Sequence, residues 1–316
     1  MRVYNLQYPH NLQQNEMPAT TLAIGYFDGV HRGHQEVIET AKHIAEQKGH
    51  SSGVMTFHPH PSVVLNKGQQ TVHYITPIED KLQQIEQLGI DYVYVVNFNE
   101  TLAKLLPEQF VEHFLIQLNV QHVVAGFDFT YGFKGQGNMK TIKDHGKGQF
   151  THTTVQKIAE GDEKISSSLI RNKIVKGEME QASSLLGRPY RIKGKVVTGD
   201  QRGRTIGFPT ANIDVLPDYI IPKMGVYAVG IKWKNNYYYG MANIGYKPTF
   251  QQFEDKPSIE VFIFDFSANL YNEMLHVDLY HFIREETKFN GVDQLVEQLH
   301  ADESNIRRYI LHLPKD

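Results

Sequence analysis

TLAIGYFDGVHRGHQ, residues 21–35, decides the fold of the first half of the chain. A short apolar run, TLAI, passes through a glycine-containing turn into a helical period. In that period Val37, Ile38, Ala41, Ile44 and Ala45 form one apolar stripe, and Gly49 supplies the stop. Outward from this unit, the apolar runs GVMTF (53–57), DYVYVV (91–96) and HVVAG (122–126) alternate with further helical periods as far as about Ile158. That is the βαβ rhythm of a parallel sheet in an α/β domain. Ligands of such sheets bind at the carboxyl ends of the strands, which puts His31, Arg32, Gly33 and His34 at the binding end. Two histidines beside the N–H groups of a starting helix, with a glycine that lets a phosphate approach the backbone, can stabilise negative charge developing on phosphorus. Taken alone, the same pattern also describes two surface histidines at a helix cap.

Beyond about Tyr190 the rhythm changes. YRIKGKVV (190–197), GVYAVGIK (225–232), YYYGMANI (237–244), SIEVFIFDF (258–266) and LHVDLYHFI (275–283) predict an antiparallel sheet or a small β-barrel, with Asn235-Asn236 as a turn. From about Val292 to Leu311, the spacing of Leu295, Leu299, Ile306 and Ile310 predicts a terminal helix covering an open side of that sheet. Between the halves, GEMEQASSLLGRP (177–189) reads as a short helix ended by Gly187 and Pro189. A boundary near residue 185 divides the chain into domains 1–185 and 186–316.

Composition narrows the function classes. With 32 Lys+Arg against 35 Asp+Glu in 316 residues, the formal charge of −3 provides no basic field to recruit nucleic acid or an anionic membrane. Substrate phosphates therefore need local binding sites. Zero cysteines exclude disulfides, thiolate zinc sites and cysteine nucleophiles. The N-terminal stretch lacks an apolar signal core and no 18 apolar residues run together, so a cytoplasmic protein without a membrane span is expected. Oligomeric state has no signature in this pattern.

Further chemistry lies in four stretches. In KISSSLIRNKI (164–174), Ser166, Ser167 and Ser168 precede a helical run and Arg171 follows within a turn. Hydroxyls, free N–H groups and a guanidinium can converge there on a polyphosphate; a serine cap with an incidental arginine is the plainer alternative. Asp128 follows HVVAG beside Gly132, Gly135 and Gly137, again at the ligand end of the sheet, or as an Asx-turn aspartate. GDQRGRTIGFPTANI (199–213) combines Gly199, Gly203 and Gly207 with Arg202 and Arg204, a mobile cationic flap for phosphates. After Pro209, Thr210 and Asn212 project to one side of an extended segment and offer two neutral oxygens to a hard cation such as Mg²⁺, although either residue is also ordinary in a strand. In SIEVFIFDF, Ile259, Val261 and Ile263 occupy one face and Glu260, Phe262 and Phe264 the other. A carboxylate beside aromatic rings suits a general base, against the alternative of a solvated glutamate near a strand end. The His58/His60 pair, flanked by prolines, reads as a structural loop rather than a metal site, and Tyr237, Tyr238 and Tyr239 read as strand packing.

Together, HRGH and SSSLIR resemble the two signatures of the HxGH nucleotidyltransferase superfamily, a resemblance that implies a Rossmann-like parallel sheet. TFHPHP (56–61) and GFDFTYGFKGQGN (126–138) look like its prokaryotic FMN adenylyltransferase (FAD synthetase) branch. LLGRPY (185–190), GRTIGFPTANI, GVYAV, NIGYKPTF (243–250), SIEVFIFDF and FIREETKFNG (282–291) resemble the riboflavin kinase family. The whole chain is thus similar to the bifunctional bacterial riboflavin kinase/FMN adenylyltransferase family. This resemblance implies phosphorylation of riboflavin to FMN by ATP in the second domain and adenylylation of FMN to FAD in the first. It implies catalytic roles for His31, His34, Arg171 and Glu260, with Glu260 as the base for the riboflavin 5′-hydroxyl. ATP contacts fall on Gly25, Phe27, Asp28, Gly29, Ser166, Ser167 and Ser168 in one domain and on Gly199, Arg204 and Gly207 in the other. Mg²⁺, accompanying ATP, falls to Thr210 and Asn212, and flavin contacts to Asp128 and Arg284. ATP, riboflavin, FMN and FAD become the expected partners. The chain departs from the family's pattern with His58 in place of an acidic residue, Ser168 in place of the commoner threonine, and Phe262 where histidine is often found. Two other readings stay open at this point: a flavin-binding regulatory protein without significant turnover, and a riboflavin kinase whose adenylyltransferase half is weak.

Overall fold

A computed structural model describes residues 1–65, 72–160, 163–199, 201–216, 218–246 and 257–313. Asp200 of the glycine-rich stretch and residues 247–250 of NIGYKPTF lie outside them. The chain divides into two compact units, Met1–Ser167 and Ser168–Asp316.

The first unit is a six-stranded sheet of β1 (Arg2–Leu6), β2 (Thr20–Ile24), β3 (Ser51–His58), β4 (Tyr92–Asn97), β5 (Val120–Gly126) and β6 (Thr151–Val155). Every pairing is parallel and the order is β1-β4-β3-β2-β5-β6. β2 and β4 are buried through most of their length, as expected for strands covered on both faces, and separate apolar clusters fill the two faces. Helix α1 (Arg32–Lys48) buries Val37, Ile38, Ala41 and Ala45 and ends at Gly49, whose φ of 67° is the left-handed conformation glycine adopts without strain. Helix α2 (Ile78–Gln87) lies between β3 and β4 in sequence. Where one helical period is expected between DYVYVV and HVVAG, the chain forms short pieces, Glu100–Ala103 and Pro107–Val111, continuing into a π-turn at Glu112–Ile116. Pro107 has no N–H to continue a preceding helix and instead starts a new one.

The strand order positions the site. The chain runs from β2 through β3 to β4 on one side and then returns to place β5 on the other side of β2. The carboxyl ends of β2 and β5 therefore flank the topological switch point, where an open α/β sheet has its ligand crevice. GYFDGVHRGH follows β2 and Asp128 follows β5.

Helix α3 (Ser167–Lys176) begins at the division between units. Helix α4 (Met179–Leu186) follows, and Gly187, at φ 75°, ends it. The second unit is then a closed antiparallel barrel of β7 (Tyr190–Val197), β8 (Ala211–Val215), β9 (Gly225–Trp233), β10 (Asn236–Tyr246), β11 (Pro257–Ile263) and β12 (Met274–Arg284), in the order β7-β8-β11-β10-β9-β12. Alternation along β11 separates buried Ile259, Val261 and Ile263 from Glu260 and Phe262 on the other face. The terminal helix α5 (Val292–Ile310) does not fill an open side, because the barrel closes through β7–β12 pairing. Instead α5 covers part of the outer wall, where buried Ile306 and partly buried Leu299 join Phe208, Ala228, Met241 and Phe264 in an apolar cluster.

Candidate active sites

In the first unit, the turn between β2 and α1 combines strain with burial. Phe27 (φ 52°) and Val30 (φ 40°) are left-handed without being glycine and flank Gly29 at φ 89°. Each such residue costs about 1–2 kcal/mol. Their burial, at 2% and 1% exposure, helps to offset this. The turn directs His31 to cap α1, and its Nδ1 accepts a hydrogen bond from the His34 backbone N–H at 3.2 Å. The two imidazoles stack with centroids 3.5 Å apart. An alanine Cβ at Gly33 would press on the His31 ring at 3.3 Å, so the glycine preserves that stack. Burial, and after it the neighbouring His31, Lys81 and Lys164, hold the His34 pKa well below the ordinary imidazole range. His34 Nδ1 is buried without a hydrogen-bond partner, a polar atom for which a ligand is the natural complement.

Asp28 is turned inward: its carboxylate accepts N–H groups from Ile75 and Thr76 at 3.4 and 3.2 Å. Its backbone oxygen accepts the Ser167 hydroxyl at 2.9 Å, joining the start of the SSSLIR segment to the turn. Gly25 lies against Phe27, whose ring would be 2.9 Å from an added Cβ. Ser166 and Ser167 are half-buried and Ser168 is exposed, while Arg171 is half-buried one turn into α3. Asp128 is exposed and pairs with Lys164, which also lies over the Phe127 ring. His58 ends β3, and its ring lies 5.9 Å from that of Tyr74. His60 accepts or donates a side-chain hydrogen bond with Ser62, in keeping with a structural loop.

Sequence reasoning missed Lys81. It is 2% exposed on α2 and donates to the Tyr26 carbonyl at 2.8 Å and to Thr56 Oγ1 at 3.3 Å. Burial pushes its pKa down to about 8, opposed by the carboxylate of Asp28. A cation on the same helical face as Ile78, Leu82 and Ile85 was the available signal.

In the second unit, cross-strand register assembles the site. Asn212 on β8 lies opposite Glu260 on β11, and Glu260 lies opposite Asn243 on β10. Asn243 is partnered by Val226 on β9, and Val226 by Arg284 at the end of β12. One row of the barrel wall thus gathers residues far apart in sequence. Thr210 Oγ1 reaches Glu260 Oε2 at 3.5 Å. A cavity of about 350 Å³ opens on this row, with Thr210, Glu260 and Arg202 at polar positions and Phe208, Phe262 and Leu299 among its apolar walls. Its size and mixed lining suit a small-molecule ligand. Phe262 packs edge-on against Phe208 and Phe264, at 5.1 and 5.7 Å between centroids.

Gly199 lies against Asn212: an added Cβ would stand 2.2 Å from the Asn212 amide nitrogen, and neither residue lines the cavity itself. The glycine-rich stretch is not uniformly extended, since Arg202–Thr205, including Arg204, forms one helical turn. Gly207 follows with φ 84°. Arg284 lines the cavity, but its guanidinium makes an ion pair with Asp302 at 2.7 Å. Asn243 and Glu286, which sequence reasoning did not select, also line it and are joined by a 2.9 Å hydrogen bond. Among the tyrosines, Tyr237 donates to Asp278 at 2.9 Å and Tyr238 packs edge-on against Phe266.

A family model for FAD synthetase matches residues 13–169, and one for riboflavin kinase matches residues 186–310. The chain is 51% identical to a bifunctional riboflavin kinase/FMN adenylyltransferase of Bacillus subtilis over 316 residues, covering 100% of both proteins. It is 47% identical to one of Listeria monocytogenes over 313 residues, covering 99% of each. A crystal structure described as a macrolide-efflux protein from Streptococcus pneumoniae has a TM-score of 0.88 at 32% identity, covering 97% of this chain and 99% of that one. Among the described residues no helix is long and apolar enough to cross a membrane. With both family models matched in tandem and relatives aligned from end to end, the chain belongs to the bifunctional riboflavin kinase/FMN adenylyltransferase family.

Proposed function

We propose that this chain makes FAD in two steps, with residues 186–316 phosphorylating riboflavin and residues 1–185 adenylylating the FMN produced. Flavins are substrates and products here. The observation that carries the kinase assignment is the position of Glu260, whose carboxylate lies beside Thr210 and opposite Asn212 on the wall of a largely apolar cavity. Glu260 takes the proton of the riboflavin 5′-hydroxyl as that oxygen attacks the γ-phosphorus of ATP; FMN forms and ADP leaves. The hydroxyl, amide and carboxylate oxygens of Thr210, Asn212 and Glu260 form a donor set that fits a hard cation, and Thr210 and Asn212 would hold Mg²⁺ with ATP. When bound, Mg²⁺ supplies charge neutralisation on the phosphates. Gly199 keeps space for the Asn212 amide, and Arg204 and Gly207 belong to the segment that covers ATP.

For the second step, an ionised FMN phosphate oxygen attacks the α-phosphorus of another ATP, and pyrophosphate leaves. No strong base is needed because the nucleophile is already an anion. His31 and His34 stabilise the charge developing on the α-phosphate of the transferring adenylyl group from the start of α1, supported by N–H groups at that helix end. Arg171 adds a guanidinium, Ser166, Ser167 and Ser168 contact phosphate oxygens, and Gly25, Phe27, Asp28 and Gly29 shape the nucleotide turn. Asp128 contributes to FMN binding at the β5 end. A cysteine-free enzyme using ATP fits the cytoplasm.

The test is a chromatographic time course with riboflavin, ATP and Mg²⁺, alongside a reaction started from FMN. Successive FMN and FAD are expected. FMN without FAD in both reactions would leave the first domain without its assigned activity. Binding of flavin without either product would favour a regulatory protein.

A further inference from the structure

The cavity of the second unit combines polar lining residues, Thr210 and Glu260 among them, with apolar ones supplied partly by α5. That helix contributes Leu295 and Leu299 to the lining, and Phe289 lines the cavity from the preceding loop. The N-cap of α5 is Gly291, which has no side chain to hold the helix start. An apolar stripe by itself gives weak control of helix rotation and height, since greasy surfaces are non-directional and one residue of slip moves the helix by only about 1.5 Å.

Asp302 interrupts that stripe. It follows Leu295 and Leu299 on the same helical face and precedes Ile306, yet its carboxylate is 1% exposed. Arg284 Nε lies 3.1 and 3.0 Å from its two oxygens, and Nη2 lies 2.7 Å from Oδ2. Gln298 donates to Oδ1 at 2.8 Å from one turn earlier. The remaining arm of the guanidinium, Nη1, donates to the Glu285 carbonyl at 3.0 Å, and the guanidinium carbon is 5.8 Å from the Phe289 ring centroid. Strand end, loop and helix therefore meet at one bidentate ion pair. Such a pair is a weak source of net stability compared with apolar packing, but its planar fork accepts a single geometry.

We propose that Arg284 is a positioning residue for riboflavin: through Asp302 it fixes α5 against the barrel and so sets the wall that Leu295, Leu299 and Phe289 present to the isoalloxazine ring. This rests on the kinase reading of the second unit and replaces direct flavin contact as the function of Arg284. The selective effect follows from geometry. The side chains α5 brings to the cavity are apolar and suit a ring, and α5 meets the segment before β8 through the Phe208 ring rather than through a proposed Mg²⁺ or ATP ligand.

The experiment is steady-state riboflavin phosphorylation by the full chain carrying Asp302→Asn, Arg284→Lys or Leu299→Ala, with the FMN-to-FAD rate and thermal unfolding measured on each preparation. Both ion-pair variants should raise the riboflavin KM about tenfold, the effect of unsealing one or two apolar side chains, while the KM for ATP stays within about twofold. Leu299→Ala should reproduce that split without touching the ion pair. The exchange of both partners, Arg284→Asp with Asp302→Arg, should recover part of the riboflavin affinity. FAD formation from supplied FMN should be unaffected in all of them. An increased riboflavin KM in Arg284→Lys alone, with Asp302→Asn unchanged, would make Arg284 a direct flavin contact and overturn the proposal. Parallel losses toward riboflavin and ATP would also overturn it, leaving the pair a general structural tie. Should the unsubstituted chain make no FMN, the kinase reading itself falls and takes the proposal with it.

Discussion

The proposed adenylyltransferase and kinase sites are built in opposite ways. The first concentrates its chemistry in one contiguous turn, in which two strained residues, a helix cap and two stacked imidazoles occur within residues 27–34. The second spreads along a row of barrel strands, so that Asn212, Glu260 and Asn243 become neighbours only through antiparallel register. A contiguous site depends on backbone conformation held by buried partners such as Asp28 and Lys81. A dispersed site depends on register, because a one-residue slip would send Glu260 to the opposite face. The two units should therefore fail independently and by different routes.

The largest effects test that independence. His31→Ala with His34→Ala should lower FAD formation from supplied FMN by about 10³-fold or more, since two groups stabilising phosphoryl charge are lost together. FMN formation from riboflavin should persist. Next, Glu260→Gln should lower FMN formation by about 10²- to 10³-fold by removing the general base, while FMN-to-FAD conversion continues. Both are measured by resolving the three flavins chromatographically in folded protein. Equal loss of both activities in either variant would break the comparison, because one site would then depend on the other.

What could be read from sequence follows the same division. TLAIG into an amphipathic helix carries the parallel sheet, and HRGH at its turn is where the first site is proposed. Five of the six barrel strands and the alternation of Ile259, Val261 and Ile263 were legible as well, whereas β8 read only as an extended segment. Cross-strand partners were not: nothing local to MANI marks Asn243 as a neighbour of Glu260, since that contact is created by register across β10 and β11. Barrel closure was hidden for the same reason, being a pairing of β7 with β12 across more than half of the unit. Asp28 shows another limit. A polar residue in a ligand turn reads as a ligand contact, but its carboxylate is buried against the backbone at Ile75 and Thr76. Lys81 and Asp302 left a detectable trace, a charge on an otherwise apolar helical stripe, whose partner only the folded chain reveals.

Gly199→Ala sharpens the comparison on the dispersed side. Its new Cβ would stand within 2.2 Å of the Asn212 amide, so that side chain must move away from its place opposite Glu260. An ångström of displacement at a proposed cation ligand should cost about tenfold to 10²-fold in kcat/KM for Mg²⁺·ATP, with half-maximal activity moving to higher Mg²⁺. Riboflavin affinity should change much less. A Mg²⁺ titration identical to that of the unsubstituted chain would separate Asn212 from the cation.

Lys81→Met probes the contiguous side and carries the smallest expected effect, about tenfold in FAD formation, because the ammonium supports the turn through Tyr26 and does not itself carry the chemistry. Its pH dependence is the diagnostic feature. With the folded-state pKa pushed down to about 8 from the ordinary 10.5, Lys81 is charged below about pH 8 and loses that charge as pH rises through it. The FAD-forming rate should therefore decline through that region in the unsubstituted chain and lack this inflection in Lys81→Met. Stability runs the other way. A buried lysine with a lowered pKa destabilises the fold fully below about pH 8, and the penalty is relieved between about pH 8 and 10.5, where the unfolded chain still binds the proton and the folded chain has released it. Relative to Lys81→Met, the unsubstituted chain should thus gain stability across a window in which its adenylyltransferase rate falls. Opposed trends in pH-dependent unfolding and FAD formation would tie the buried cation to the function of the turn, whereas an inflection retained in Lys81→Met would assign the titration to another group.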